Sequence, residues 1–585
     1  MSTNKLFDRI CVIVLIVMLV GTLLFMNGSA LGIKAVADED AEAYEGAEYF
    51  TANDRNGSWE SSHTAYIEMD GDDGSISGGN GGAYFLNGDL VIAQAGYYEV
   101  TGSLENGSII IDTADGAKVW LRLNGVEVNC EDDACIRINE ADKVFLTLAE
   151  NSENTLHSGS AFSEEALEDG TDGAIFAHDD LTINGSGALS ITADYKYGIA
   201  ANDELRITGG TIDITAAEDT IHVNEHCRIT EASIILQAGD DAIHSESDIV
   251  IVSGTILINE CYEGIEAPTI DILGGDITIY PRDDGINAGG GSDSFGNMNF
   301  GGGFGGFGGG PGNSETASED IQNSSEESEE QAEKEQTEKS EGERPEMSGG
   351  EMPEMPNGGV TEKPGDSSEA DTESTETAEE TVTPTVTISG GSITIINKNG
   401  MDADGIDSNG NVYINGGNVF ISLNGGGTNN AIDYGSENNG VFEINGGVVI
   451  AAGGATMLEE VSDTSSQVSF LYSTSGTTQA SAVQVTDANG NELLSCEIPY
   501  AFQALLISTP ELQLGDTVNL VIGDTNTEVA LDKVVNSAGT GAGGMMEFGG
   551  MPFSSNAPVF PESDSGENDS ETEEKQETEE TDGTA

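Results

Sequence analysis

Asp240 and Asp241 stand just ahead of Ile243 in the stretch GDDAIH, and related sets recur on both sides of it. They are Glu218, Asp219 and His222; Tyr262, Glu263 and Glu266; Asp283, Asp284 and Asn287; then Asp402, Asp404 and Asp407. Residues of this type at a regular interval can bind a hard cation through oxygen. If the sets stack at the distance between neighbouring strands, about 4.8 Å, two ionised carboxylates repel by about 1 kcal/mol in water and about 3–4 kcal/mol at an effective dielectric near 20. Such a row needs a cation or must take up protons. The chain carries 19 Lys and Arg against 105 Asp and Glu, a net charge of -86, so side-chain pairing cannot neutralise the row everywhere. Calcium fits, because it accepts six to eight oxygen ligands in irregular geometry. The expected ligands are Asp219, Asp240, Asp241, Glu263, Asp283, Asp284, Asp402, Asp404 and Asp407. The alternative is a row of solvated Asx-type corner residues without an ion. His222 and His244 share one register, but two histidines without a fixed third ligand are thin grounds for zinc. They are read as exposed strand residues or as donors to the neighbouring acids.

The elements that must position these residues follow from an internal repeat. Ile175, Ile199, Ile221, Ile243, Ile265 and Ile286 recur at about 22 residues, and the period resumes at Ile406 and Ile432. Within each repeat, apolar and polar residues alternate in short runs, as in Leu205, Ile207, Ile212 and Ile214, or Ile249, Ile251, Ile256 and Ile258. Glycine pairs such as Gly209 and Gly210 separate the runs. Three short strands per repeat and no helical stretch predict an all-β chain, a right-handed parallel β-helix in which like positions stack on successive coils. A leucine-rich repeat has a similar period, but its Leu and Asn consensus is missing. Cys227 falls at the inward position of Leu205 and Ile249, which predicts a buried core residue.

Around this array the composition changes. Lys5 and Arg9 precede an apolar run, Ile10–Met26, so residues 1–37 read as a signal peptide or an uncleaved N-terminal membrane anchor. Export is expected, to the extracellular space or the cell surface, with membrane contact only through that anchor. Residues 38–86 read as an acidic linker, 87–290 as the first part of the helix, and 291–383 as a disordered Gly- and Glu-rich insert. Residues 384–456 read as the second part, 457–537 as a small C-terminal β cap, and 538–585 as a disordered acidic tail. The charge excludes nucleic acid and an anionic membrane surface as partners. Outside the apolar run the cysteines are Cys130, Cys135, Cys227, Cys261 and Cys496, an odd number with scattered spacing and no disulfide framework.

The segments GDDAIH, YEGIE, DDGINA and DADGIDSNGNVYINGG resemble a family of exported bacterial carbohydrate-binding proteins. Those proteins are right-handed parallel β-helices with calcium sites that bind cellulose and acidic sugars, similar in fold to family 9 polysaccharide lyases. The resemblance covers roughly residues 87–290 and 384–535. It implies a calcium site built from one acid of a coil and an adjacent pair from the next, a pattern that Asp219 with Asp240 and Asp241 matches. Polysaccharide is then the expected partner, cellulose or an acidic polymer such as polygalacturonate. Tyr195, Tyr197, Tyr262 and Tyr280 could stack on sugar rings near the acidic corner, with Arg282 beside them. A lyase would also need a base, usually Lys, next to the metal. Lys196, Arg206, Arg228 and Arg282 read more simply as counter-charges, so no catalytic residue is assigned. A pectate-type lyase and a structural surface protein or adhesin are the alternatives to a non-catalytic binding protein.

Overall fold

Alternating apolar residues place one side of every short strand inside, and the three runs of each repeat become three stacked parallel ladders. The computed structural model describes residues 46–113, 116–289, 382–398, 403–425, 430–456 and 459–541. One ladder is an 11-stranded sheet that carries the motif isoleucines in a single file, Ile136, Ile175, Ile199, Ile221, Ile243, Ile265, Ile286 and Ile406. Ile432 joins the file through an isolated bridge. A second ladder aligns Leu181, Leu205, Cys227, Ile249, Ile270, Val386, Val412 and Phe442. The third aligns Leu189, Ile212, Ile234, Ile256, Ile277, Ile393, Val419 and Val449. These side chains are all buried and form one continuous core. Burying each Ile or Leu contributes about 1.5–3 kcal/mol before the entropy of ordering is charged against it. The chain is a parallel β-helix.

The array is uninterrupted in space, because Thr269–Ile272 pairs directly with Thr385–Ile388 and Asp276–Pro281 with Ser392–Asn397. The intervening insert lies outside the described residues, as do the N-terminal apolar run and the acidic tail from residue 542. Close stacking at the acidic corner depends on small residues. A Cβ on Gly264, Gly285 or Gly405 would sit 2.3–2.6 Å from a carbonyl oxygen of the following coil and against a core isoleucine.

The expected linker at 38–86 is corrected by the structure over its described part. Ala65–Gly71 pairs in parallel with Gly96–Leu104 and antiparallel with Asp73–Gly78, adding a first coil. Ala83–Leu86 pairs antiparallel with Asp89–Ile92. Residues 46–64 form a strap laid along the outside of the second ladder. Phe50 packs on Val250 and Val252, and the Trp59 indole N–H donates to Thr147 Oγ1 at 2.9 Å. Between them Asp54 is fully buried. Its carboxylate meets Lys143 Nζ at 3.0 Å and accepts from Thr182 Oγ1 at 2.8 Å, and its carbonyl accepts from Asn184 and Thr208. Acidic composition made this stretch look solvated, whereas a few apolar anchors and one paired carboxylate hold it down.

At the other end, Val448–Gly453 is the last parallel strand, and Phe502–Ser508 adds to it in the antiparallel sense. Ser469–Thr478 and Val535–Gly539 continue that sheet. A separate four-stranded sheet, from Ser481–Thr486, Glu492–Ile498, Thr517–Ile522 and Thr525–Ala530, closes a second small core around Phe470, Val483, Phe502 and Leu520.

Candidate metal and glycan site

The acid pairs are split by the turn that carries them. In the first two rungs the second acid points inward and is buried, as at Asp219 and Asp241, while Asp240 is exposed. The inward carboxylate accepts a backbone N–H from the equivalent residue of the next coil. Asp219 Oδ1 accepts from Asp241 N at 3.0 Å, and Asp241 Oδ1 from Glu263 N at 3.0 Å. The ladder continues with Asp284 Oδ1 accepting from Asp404 N and Asp404 Oδ1 from Asn430 N, both at 2.6 Å. One oxygen of each of these carboxylates therefore satisfies a corner amide that the strand ladders leave over. The second oxygen of Asp219 meets His222 and that of Asp241 faces His244.

Beside this ladder runs a file of outward residues on the first sheet: Ala200, His222, His244, Glu266, Asn287 and Asp407, in register from coil to coil. The small Ala200 leaves room for the Tyr197 ring, which stacks on His222 at 4.2 Å; His222 in turn stacks on His244 at 4.7 Å. His222 Nδ1 lies 2.8 Å from Asp219 Oδ2. His244 Nδ1 lies 2.7 Å from Glu266 Oε2 and 3.7 Å from Asp241 Oδ2. Burial by itself would lower the pKa of His244, but the hydrogen bonds to Asp241 and Glu266 and the charges behind them raise it to about 11. Ligand atoms of Asp219, His222 and His244, and of Asp241, His244 and Glu266, converge to within 4.8 Å of one another. The histidines act as donors to the acids, and His244 in its charged form neutralises part of this rung.

Further along, the row contains only oxygen donors. Although Asp240 reaches solvent, partial desolvation by the corner around it, followed by the charges of Asp241 and Asp219, pushes it up to about 6. Burial and the charges of Glu266 and Asp241 push Glu263 up to about 8, although Asn287 donates to it at 2.8 Å. Burial, then Asp404, Asp407 and Asp283, pushes Asp284 up to about 9 despite the amide it accepts. Asp407 rises to about 6 through burial and the charges of Asp433 and Glu437. Desolvation is the largest cause of each shift, and the neighbouring acids add to it. Asp402 lies outside the described residues. Asp433 was missed in the sequence although it follows Ile432 as Asp407 follows Ile406. Glu459, whose Oε2 accepts from Tyr434 N at 3.1 Å, arrives from beyond the last coil with no periodic signal.

The four tyrosines separate into two kinds. Tyr195 packs on Phe162 at 4.7 Å and Tyr197 stacks on His222, and both are partly buried. Tyr262 and Tyr280 are 46% and 40% exposed. Tyr262 reaches Asp283 with its hydroxyl. Arg282 donates from Nε to Cys261 O at 3.1 Å and from Nη2 to Gly239 O, which brings its charge beside Asp240. The other basic residues are engaged elsewhere: Lys196 beside Asp172, Arg206 with Glu204 and the strap, and Arg228 with Asp248.

Residues 87–424 match the family model described as carbohydrate-binding domain-containing protein, and the chain belongs to that family. A carbohydrate-binding domain-containing protein of Acetivibrio thermocellus is 33% identical over 129 residues, 22% of this chain and 45% of the relative's length. The chain thus matches a little under half of that relative. Among solved structures, the polysaccharide lyase-like protein from C. thermocellum, as a gadolinium derivative, is 26% identical with a TM-score of 0.35, over 37% of this chain and 91% of that one.

Proposed function

We propose that this chain is an exported, non-catalytic protein that binds polysaccharide at the acidic corner with the help of calcium, and that acidic polymers such as polygalacturonate are among its ligands. The observation that carries this reading is the coil-to-coil file of carboxylates at one corner, in which Asp219, Asp241, Asp284 and Asp404 each hold an amide of the next coil while Glu266 and Asp407 stand in register beside them, in a family of carbohydrate-binding proteins. The donor set fits a hard cation: the oxygens of Asp283, Asp284, Asp404 and Asp407 are all carboxylate. Asp240 and Glu263 extend the row toward the histidines, where His244 competes as a built-in cation. When bound, calcium would supply positive charge that a polymer carboxylate can share. The protein residues hold the cation, keep the corner rigid through the carboxylate-to-amide ladder, and present Tyr262 and Tyr280 to sugar rings.

Pull-down on polygalacturonate and on cellulose, with calcium and with chelator, tests the proposal. Binding to polygalacturonate should be lost on chelation, and the melting temperature should fall, because an ion bound only by the folded state at 100 times its Kd stabilises by about 2.7 kcal/mol. Equal binding and equal melting under both conditions would sink the calcium reading. Ultraviolet-absorbing unsaturated product from polygalacturonate would favour a lyase instead.

A further inference from the structure

Beside the acidic corner, two cations stand just past the ends of neighbouring strands of the third ladder. Asp276–Pro281 and Ser392–Asn397 pair in register as far as Ile279 and Ile395, and Tyr280 with Arg282 on one coil and Ile396 with Lys398 on the next follow at that end. Tyr280, Arg282 and Lys398 are all exposed, and with Ile396, Asn259 and Glu260 they line a groove of about 420 Å³. In a chain with 19 basic residues against 105 acidic ones, two cations on adjacent coils flanking an exposed ring are unexpected unless something anionic meets them. Arg282 is fixed by its two carbonyl contacts, which occupy two of five N–H groups and leave the others for a ligand. Neither Arg282 nor Lys398 holds a short ion pair to Glu260 or to any other described carboxylate.

We infer that this groove is a subsite for the carboxylate of an acidic sugar, with Lys398 and Arg282 contacting the charge, the Tyr280 face carrying the pyranose ring, and Asn259 and Glu260 meeting hydroxyls. The ligand lies along the helix axis, since coils about 4.8 Å apart offer one side chain per coil at a spacing comparable to one sugar residue. Contact with the cations needs no metal, so the subsite reads charge while the calcium row anchors the polymer. The inference rests on the acidic-glycan reading above and names the residues that discriminate acidic from neutral polymer.

The test is affinity electrophoresis of the full chain in calcium, against polygalacturonate and its fully methyl-esterified counterpart. Lys398→Ala should weaken binding to polygalacturonate about tenfold, the loss of one charge-assisted contact, and Lys398→Glu should weaken it further. Arg282→Gln should do the same, and Tyr280→Ala should weaken both polymers. Lys118→Glu, a charge reversal at an exposed ion pair with Asp142 on an early coil, should change neither. Lys398 is exposed and its side chain supports no other element, so its variants should melt with the parent protein. If the parent binds polygalacturonate and the Lys398 variants bind it equally well, the groove is overturned while the acidic-glycan reading stands. If the parent binds no acidic polymer in calcium, that reading fails and the subsite with it.

Discussion

At the scale of single residues, neighbouring acids of the same type do different work. Asp241 and Asp284 each accept a backbone N–H of the next coil on one carboxylate oxygen, whereas Asp240 faces solvent. Asp284→Ala should therefore destabilise by about 1–3 kcal/mol, the cost of leaving a corner N–H without its acceptor, even in chelator. Asp240→Ala removes a crowded charge and should leave the chelated protein as stable or slightly more so. Denaturant titration of both variants in chelator checks this, and equal losses would show that the two acids are equivalent. The row was legible from sequence because its members keep a fixed distance from the motif isoleucines. Which acid of a pair turns inward was not, since that depends on the path of the turn.

At the scale of elements, the strap at 46–64 ties several coils together along one face. Asp54 is its central pin: side-chain hydrogen bonds from Thr51 and Lys143, the backbone amide of Thr51 and the Lys143 charge hold its carboxyl below the usual range, although burial pushes the other way. A folded-state pKa below the unfolded one means that this contribution is present above about pH 4 and is lost as the pH falls through the folded value. Asp54→Ala leaves the buried Lys143 with only the longer contact to Asp180 at 3.7 Å and strips Thr182 of its acceptor, so a loss of about 3 kcal/mol is expected. Amide exchange across 46–64 should accelerate together. Unchanged exchange in that variant would mean that Phe50 and Trp59 hold the strap without the ion pair. No repeat marks this segment, and its acidic composition pointed the wrong way.

For the whole molecule, the acidic corner predicts an inverted response to pH when metal is removed. Glu263 and Asp284 have folded pKa values of about 8 and 9, above those of an unfolded carboxyl, so the native chain binds more protons across that window and loses stability as the pH rises. His244 acts in the same direction: its pKa of about 11 gives a contribution that is full below the unfolded value near 6.5 and lost as the pH climbs through the folded one. The melting temperature in chelator should fall between pH 5 and pH 9, and calcium should flatten the profile by favouring the ionised acids. Melts at matched ionic strength measure it directly, and a chelated profile that is level or rises with pH would count against unneutralised crowding.

The sequence by itself determined the solenoid, the continuity of its coils across the insert and the acidic row, because a period of about 22 residues forces equivalent side chains into register. Tertiary structure alone decided which oxygens the backbone consumes, that Tyr195 and Tyr197 pack while Tyr262 and Tyr280 face outward, and that Arg282 and Lys398 share a groove although an insert of many residues separates them. Periodicity fixes position along a coil. The direction of a side chain at a corner, and the neighbours it gains from beyond the repeat, are set by packing between coils that the period does not encode.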